Sequence, residues 1–372
     1  MRSLKLSLPD PRTALIALNA TSGLPPRTTF QISLQEDWVN RLCRGSFSET
    51  RSNVGINERT SINFNSLIAS DFAQREINKA RDNGVRIVTF LDDDYPSRLK
   101  EIADPPVVLY VKGRIPAPED VLIAIVGSRE ASSYGLGIAE QFAMRFAEAG
   151  AAVISGLARG IDAMAHRGTL KAGGRTLAVL GCGIDMIYPF QNRDLYKEIA
   201  ERGCLISEFP FGAEPYLYHF PRRNRIVSGL SHGVVVVEAR QRSGALITAQ
   251  FALEQGRDVF AVPGRIDVPY SRGTHELIRN GAKIILSVED VFEEIPGLKS
   301  QPELFSKVNK KKPSDLTADE LKVLSIITQD AVSFDTLAAK AGLPVPALMG
   351  VCLSLELRRL VRELPGKMYE LL

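Results

Sequence analysis

Five arginines crowd one short stretch of this chain, in a pattern suited to holding a polyanion. Arg222, Arg223 and Arg225 stand in HFPRRNRIVSGLS, at the start of a short helical pattern. The strand-like run Val234–Val237 follows, and then Arg240 and Arg242 lead into Ser243, Gly244 and a second helix. Glu238 is the only carboxylate from His219 to Ala249. Guanidiniums donate in forks that match phosphate oxygens, and helix N-termini turn backbone N–H groups outward. Phe220 stands beside the arginines, preceded by Tyr216 and Tyr218. Stacking a base on such a ring is worth about 1–3 kcal/mol.

The same small-residue chemistry recurs at other predicted strand ends. Gly127, Ser128 and Arg129 end one apolar run ahead of Ser132–Gly135. Ser155-Gly156-Leu157-Ala158-Arg159-Gly160 ends the next, with Asp162 and His166 one helical turn apart and read as a structural hydrogen-bonded pair. Gly181-Cys182-Gly183 and Pro263-Gly264-Arg265 end two more. In a parallel sheet these ends share one edge, where ligands bind.

Hydrolysis at that edge needs a base or nucleophile. Glu238 and Asp162 are the plausible carboxylates, and His219, His232 and His275 have no evident triad partners. Neither a Walker lysine motif nor the G-x-G-x-x-G dinucleotide fingerprint is present. The residues point to holding a phosphodiester and imply no cofactor and no metal. A nucleotide hydrolase and a winged-helix transcription regulator are the alternatives.

The elements that must position these residues are legible as short apolar runs: Leu122–Val126, Ala152–Ser155, Thr176–Leu180, Leu205–Ser207, Val234–Glu238, Asp258–Val262 and Lys283–Leu286. Their continuous apolar character predicts strands covered on both faces, and the helical patterns between them predict a mostly parallel α/β sheet. We expect residues 1–113 to form an N-terminal domain with exit strands, 114–298 the α/β domain, 299–315 a linker and 316–372 a C-terminal domain. In the first, a helical pattern runs from Ile68 to Asn83, strands follow at Val85–Leu91 and Val107–Val111, and the Ser/Asn-rich segment Arg41–Asn65 carries no structural expectation. The last opens on a capping pattern, Thr317 to Glu320. Three helical patterns and a hairpin around Pro365-Gly366 then suggest a winged helix-turn-helix. Its arginines come late, at Arg358, Arg359 and Arg362, so protein contact or auxiliary DNA contact is favoured over sequence reading.

A net charge of +3 over 372 residues makes any basic surface local. The 4 cysteines form no C-x-x-C pair, which fits buried free thiols in a reducing cytoplasm. No run approaches the roughly 18 apolar residues of a membrane helix, and no signal peptide is evident.

The blocks GSREASSYG, SGLARGIDAMAH, GCGIDMIYP, SEFPFG, FPRRNRIVSGLS, EARQRSGALITAQFALEQGRDVFAVPG and GTHELIRNGA resemble the DNA processing protein A (DprA/Smf) family, nearly continuously from Pro116 to Leu298. The resemblance implies a Rossmann-like domain, an N-terminal SAM-like helical domain and a C-terminal winged helix. It implies a non-enzymatic, homodimeric binder of single-stranded DNA in natural transformation, which protects incoming strands and helps load the RecA recombinase. The DNA-contacting positions it implies are Ser128, Arg129, Arg159, Gly160, Phe220, Arg222, Arg223, Asn224, Arg225, Ser243 and Gly244. The fold also resembles that of cytokinin-activating phosphoribohydrolases, but Arg242-Ser243-Gly244-Ala245 does not match their catalytic glutamate loop.

Overall fold

The apolar runs read from the sequence become one nine-stranded sheet. The structure is a computed structural model and describes residues 9–44, 58–295, 316–327, 332–357, 360–364 and 366–371. The predicted linker 299–315 and Arg358 and Arg359 lie outside the described residues. The chain divides into two compact units, Met1–Pro302 and Glu303–Leu372.

The first unit opens with helices α1 (Pro11–Ala20), α2 (Pro26–Ser33), α3 (Trp38–Arg44), α4 (Glu58–Ala69) and α5 (Phe72–Asp82). The Asp10 carboxylate caps α1 by accepting from the backbone N–H groups of Arg12 and Thr13. Helix α4 takes up the end of the segment Arg41–Asn65, for which no element was expected. Its polar composition hid the spacing of Thr60, Ser61 and Phe64, which bury one face of the helix. The single helical pattern expected from Ile68 is broken at Asp71, whose backbone is left-handed (φ 51°).

Strands β1 (Arg86–Thr89) and β2 (Val108–Gly113), with α6 (Ser97–Lys100) between them, belong to the same sheet as the later strands. Those are β3 (Leu122–Val126), β4 (Ala152–Ser155), β5 (Thr176–Leu180), β6 (Cys204–Ser207), β7 (Gly233–Val236), β8 (Asp258–Ala261) and β9 (Lys283–Ile284). Between them run α7 (Ser133–Glu148), α8 (Ile161–Lys171), α9 (Arg193–Arg202), α10 (His219–Leu230), α11 (Gly244–Glu254) and α12 (Arg272–Arg279). The strand order is β1-β2-β6-β5-β4-β3-β7-β8-β9. From β6 to β9 the neighbours are parallel, while β2 pairs antiparallel with both β6 and β1. Residues of β3, β4 and β7 are buried on both faces, as continuous apolar strands require.

This order fixes where a ligand can sit. The chain leaves β3 in one direction through β4, β5 and β6, then returns to β7 on the other side of β3. The connections diverge between β3 and β7, which opens a crevice beyond their carboxyl ends. The N-terminal helices brace the same framework. The Asn19 amide donates to the Glu208 carbonyl at 2.8 Å, and buried Glu76 accepts from the Tyr110 hydroxyl at 3.0 Å and the Phe211 N–H at 2.9 Å.

The second unit has helices Ala318–Ile326, Phe334–Ala341 and Val345–Leu357, and the hairpin Val361–Leu364 with Met368–Leu371. The capping box at Thr317 and Glu320 forms as expected. A short strand, Val332–Ser333, joins the hairpin and was not foreseen. Among the described residues, no single helix is long and apolar enough to cross a membrane.

Candidate nucleic-acid interface

The loop after β3 is drawn tight against the end of β7. A Cβ on Gly127 would lie 2.6 Å from Ile161 Cγ1 and 2.9 Å from the Glu238 carbonyl oxygen. The Ser128 N–H donates to that carbonyl at 2.8 Å. Glu238 itself is buried, and its carboxylate accepts from the Ser132 N–H at 2.9 Å and the Ser132 hydroxyl at 2.5 Å. It therefore fixes the start of α7, where a negative charge suits the helix dipole.

The loop after β4 closes around Asp162. Its carboxylate accepts from the Gly156 N–H at 3.1 Å and the Ala158 N–H at 3.3 Å. Burial pushes the Asp162 carboxyl upward, and the Arg223 guanidinium pulls against that shift. Gly160 has φ +75°, and a Cβ there would stand 2.2 Å from the Ser128 carbonyl oxygen. Leu157 is also left-handed (φ 56°), and the Asn192 amide secures it by donating to its carbonyl at 3.0 Å. The expected Asp162–His166 pair is corrected. The His166 ring bonds the Thr176 hydroxyl at 2.6 Å, and burial pushes its pKa down to about 3.

The arginines divide into two sets. Arg225 is 1% exposed and pairs with Glu208, also 1% exposed, and with Asp104 at 3.3 Å. Arg222 donates to the same Glu208 carboxylate at 2.8 Å. Burial alone would raise the Glu208 carboxyl, but Arg225 and Arg222 overcome it and hold the group below its ordinary value. Arg223 is buried too. Its guanidinium donates to the Gly156 carbonyl and, at 2.5 Å, to the Val179 carbonyl, so it joins the ends of β4 and β5. A Cβ on Gly156 would occupy the guanidinium's place. Arg225, expected at the ligand, lies in a buried ion pair with a carboxylate 17 residues earlier in the chain.

Arg129, Arg159, Arg240 and Arg242 are exposed. Among the described residues, Arg129 and Arg159 have no carboxylate within ion-pair distance. The Arg129 guanidinium lies 5.1 Å above the Phe220 ring, and Tyr188 flanks that ring at 5.5 Å. A Cβ on Gly181 would be 2.8 Å from the ring, so this glycine makes room for Phe220. Arg240 lies 4.8 Å over Tyr270 and 3.4 Å from Glu130. The four exposed arginines, with Glu130 and Phe220, line an open cleft of about 530 Å³ at the β3–β7 switch point. Ser243 caps α11 by accepting from the Ala245 N–H at 3.3 Å, and Asn224 ties the helix start down by donating to the Gly244 carbonyl at 3.2 Å.

The structure thus brings Ser128, Arg129, Arg159, Phe220, Ser243 and Gly244 to one cleft. Arg223 and Asn224 stand in its wall, Gly160 shapes an adjoining loop, and Arg222 and Arg225 lie behind around Glu208. Sequence reasoning missed Glu208 and Tyr188. The aromatic at Tyr188 follows a glycine-rich strand end, which was its available signal.

Fold and cleft together define a Rossmann-like protein with an arginine-lined cleft, and a second unit of winged-helix form. The chain belongs to the DNA recombination-mediator protein A family, DprA/Smf, whose model matches residues 86–296, and the DprA winged helix domain matches residues 309–367. It is 45% identical over 217 residues to DNA processing protein DprA of Bacillus subtilis, covering 58% of this chain and 73% of that one. It is 41% identical over 275 residues to protein Smf of Escherichia coli, covering 73% and 74%. The structure of DNA processing protein A from Streptococcus pneumoniae aligns with a TM-score of 0.65 at 34% identity, over 76% of this chain and 98% of that one. That of DNA processing protein A from Helicobacter pylori, described with a unique single-stranded DNA binding mode, aligns with a TM-score of 0.51 at 29% identity, over 57% and 96%.

Proposed function

We propose that this chain binds single-stranded DNA without reading its sequence, protects incoming strands in natural transformation and helps load RecA, acting in the cytoplasm as a homodimer through its Rossmann-like unit. The observation that carries the reading is Arg129 stacked 5.1 Å over Phe220 in the arginine-lined cleft. Exposed guanidiniums neutralise phosphates, the Gly244 N–H at the start of α11 adds a donor, and the aromatic pair offers faces that accept any base. The kinship with a relative described as binding single-stranded DNA supports the same ligand class. The two candidate carboxylates are both engaged, Asp162 by the Gly156 and Ala158 N–H groups and Glu238 by Ser132 at the start of α7, which favours holding over cleaving.

Fluorescence anisotropy with oligo-dT and duplex oligonucleotides across a salt series tests this. We expect preference for the single strand and a steep fall of affinity with salt. Arg129→Ala and Arg159→Ala should each weaken binding and reduce the salt slope by about 0.7. Unchanged affinity in both variants overturns the site. Release of free base from a nucleoside monophosphate, lost in Glu238→Gln, would instead indicate a phosphoribohydrolase.

A further inference from the structure

We infer that Tyr216, Leu217 and Tyr218 form a base-stacking ledge, a second contact for unpaired nucleobases that continues the cleft past Phe220. The inference rests on the single-stranded DNA reading of the cleft and adds what selects for unpaired bases.

These three consecutive large side chains are 49%, 84% and 68% exposed, in the loop that enters α10. Such a run facing solvent marks a contact surface when it adjoins a binding cleft. The ledge is built, not slack. The His219 ring is buried and stacks on Phe209 at 4.0 Å. Tyr218 meets His219 edge-on at 4.6 Å and Tyr216 does so at 5.4 Å. The two tyrosine rings lie within 4° of parallel, 5.6 Å apart. The Glu214 carboxylate holds the Tyr216 hydroxyl, and the His219 N–H closes the turn onto the Tyr216 carbonyl at 2.9 Å.

The ledge also joins the cationic site. Leu217 lines the same cleft as Arg129, Arg159 and Phe220. The nearest arginine in sequence, Arg222, is committed to Glu208 and to the Phe209 face. The charged groups therefore sit on the cleft side, and the ledge presents apolar faces with one engaged carboxylate. A single strand with phosphates along Arg129 and Arg159 can turn its bases onto these rings. A duplex keeps its base faces stacked inside and offers the ledge nothing.

The test uses the full chain, with oligo-dT and an abasic oligonucleotide of equal length, which carries the same charge without bases. The double variant Leu217→Ser, Tyr218→Ala should lose about tenfold in oligo-dT affinity and keep the wild-type affinity for the abasic strand. Tyr218→Phe alone should bind like wild type, because the ring and not the hydroxyl acts. Arg129→Ala should weaken both ligands. Wild-type oligo-dT affinity in the double variant overturns the ledge, and so does an equal loss on both ligands. Failure of the underlying reading looks different: wild-type protein would then bind neither strand.

Discussion

At the scale of the residue, arginines around one cleft have opposite duties. Arg225 and Glu208 are both almost fully enclosed, so removing one partner strands the other charge away from water. Arg225→Ala should therefore cost about 3–5 kcal/mol of folding stability, read as a lowered urea midpoint. Arg129 is exposed and its main contact is one aromatic face, so Arg129→Ala should stay within about 0.5 kcal/mol of wild type. If Arg225→Ala is as stable as wild type, the ion-paired cluster of Arg222, Arg225 and Glu208 does not hold the wall of the cleft. No spacing rule separates these arginines from one another. Glu208 lies in the SEFPFG block just past β6, and the path of the chain from there into α10 brings it against Arg222 and Arg225.

At the scale of the element, the strand ends are where composition and geometry agree. Continuous apolar runs such as Leu122–Val126 and Thr176–Leu180 were legible because strands buried on both faces need them. That their ends converge followed from parallel pairing, so the cleft itself was legible, with Ser128, Arg129, Arg159 and Phe220 on it. Helix α4 was not legible, because Thr and Ser supply much of its buried face. Nor was the fate of His166, whose partner Thr176 comes from the next strand rather than its own helix. The glycines of these turns are not equivalent. Gly160→Ala places a methyl against the Ser128 carbonyl and strains a positive φ, so a loss of about 1–3 kcal/mol is expected, with weaker strand binding as the β3 loop shifts. Gly244 has open space around its Cβ position, and Gly244→Ala should fold normally. Equal melting temperatures for both variants would show that the two loops do not interlock.

At the scale of the whole molecule, the buried His166 and the half-buried His232 make the first unit sensitive to acid. Burial pushes His166 down to about 3 and His232 down to about 4, from an ordinary value of 6.5. The unfolded chain therefore takes up protons first as pH falls, and stability is lost between about 6.5 and 3. Asp162, held upward, works in the opposite direction at the acid end. The urea midpoint should fall steadily from pH 7 to pH 4, and His166→Gln should flatten that slope. A slope unchanged by His166→Gln would place the sensitivity elsewhere. The feature with the widest reach is Arg223, which reaches from α10 to join the ends of two strands. A cleft wall riveted by its own side chain is in shape before a strand arrives, so capture needs no ordering step. The rate of association is then set by diffusion and by the attraction of the exposed guanidiniums, and added salt acts chiefly by slowing arrival.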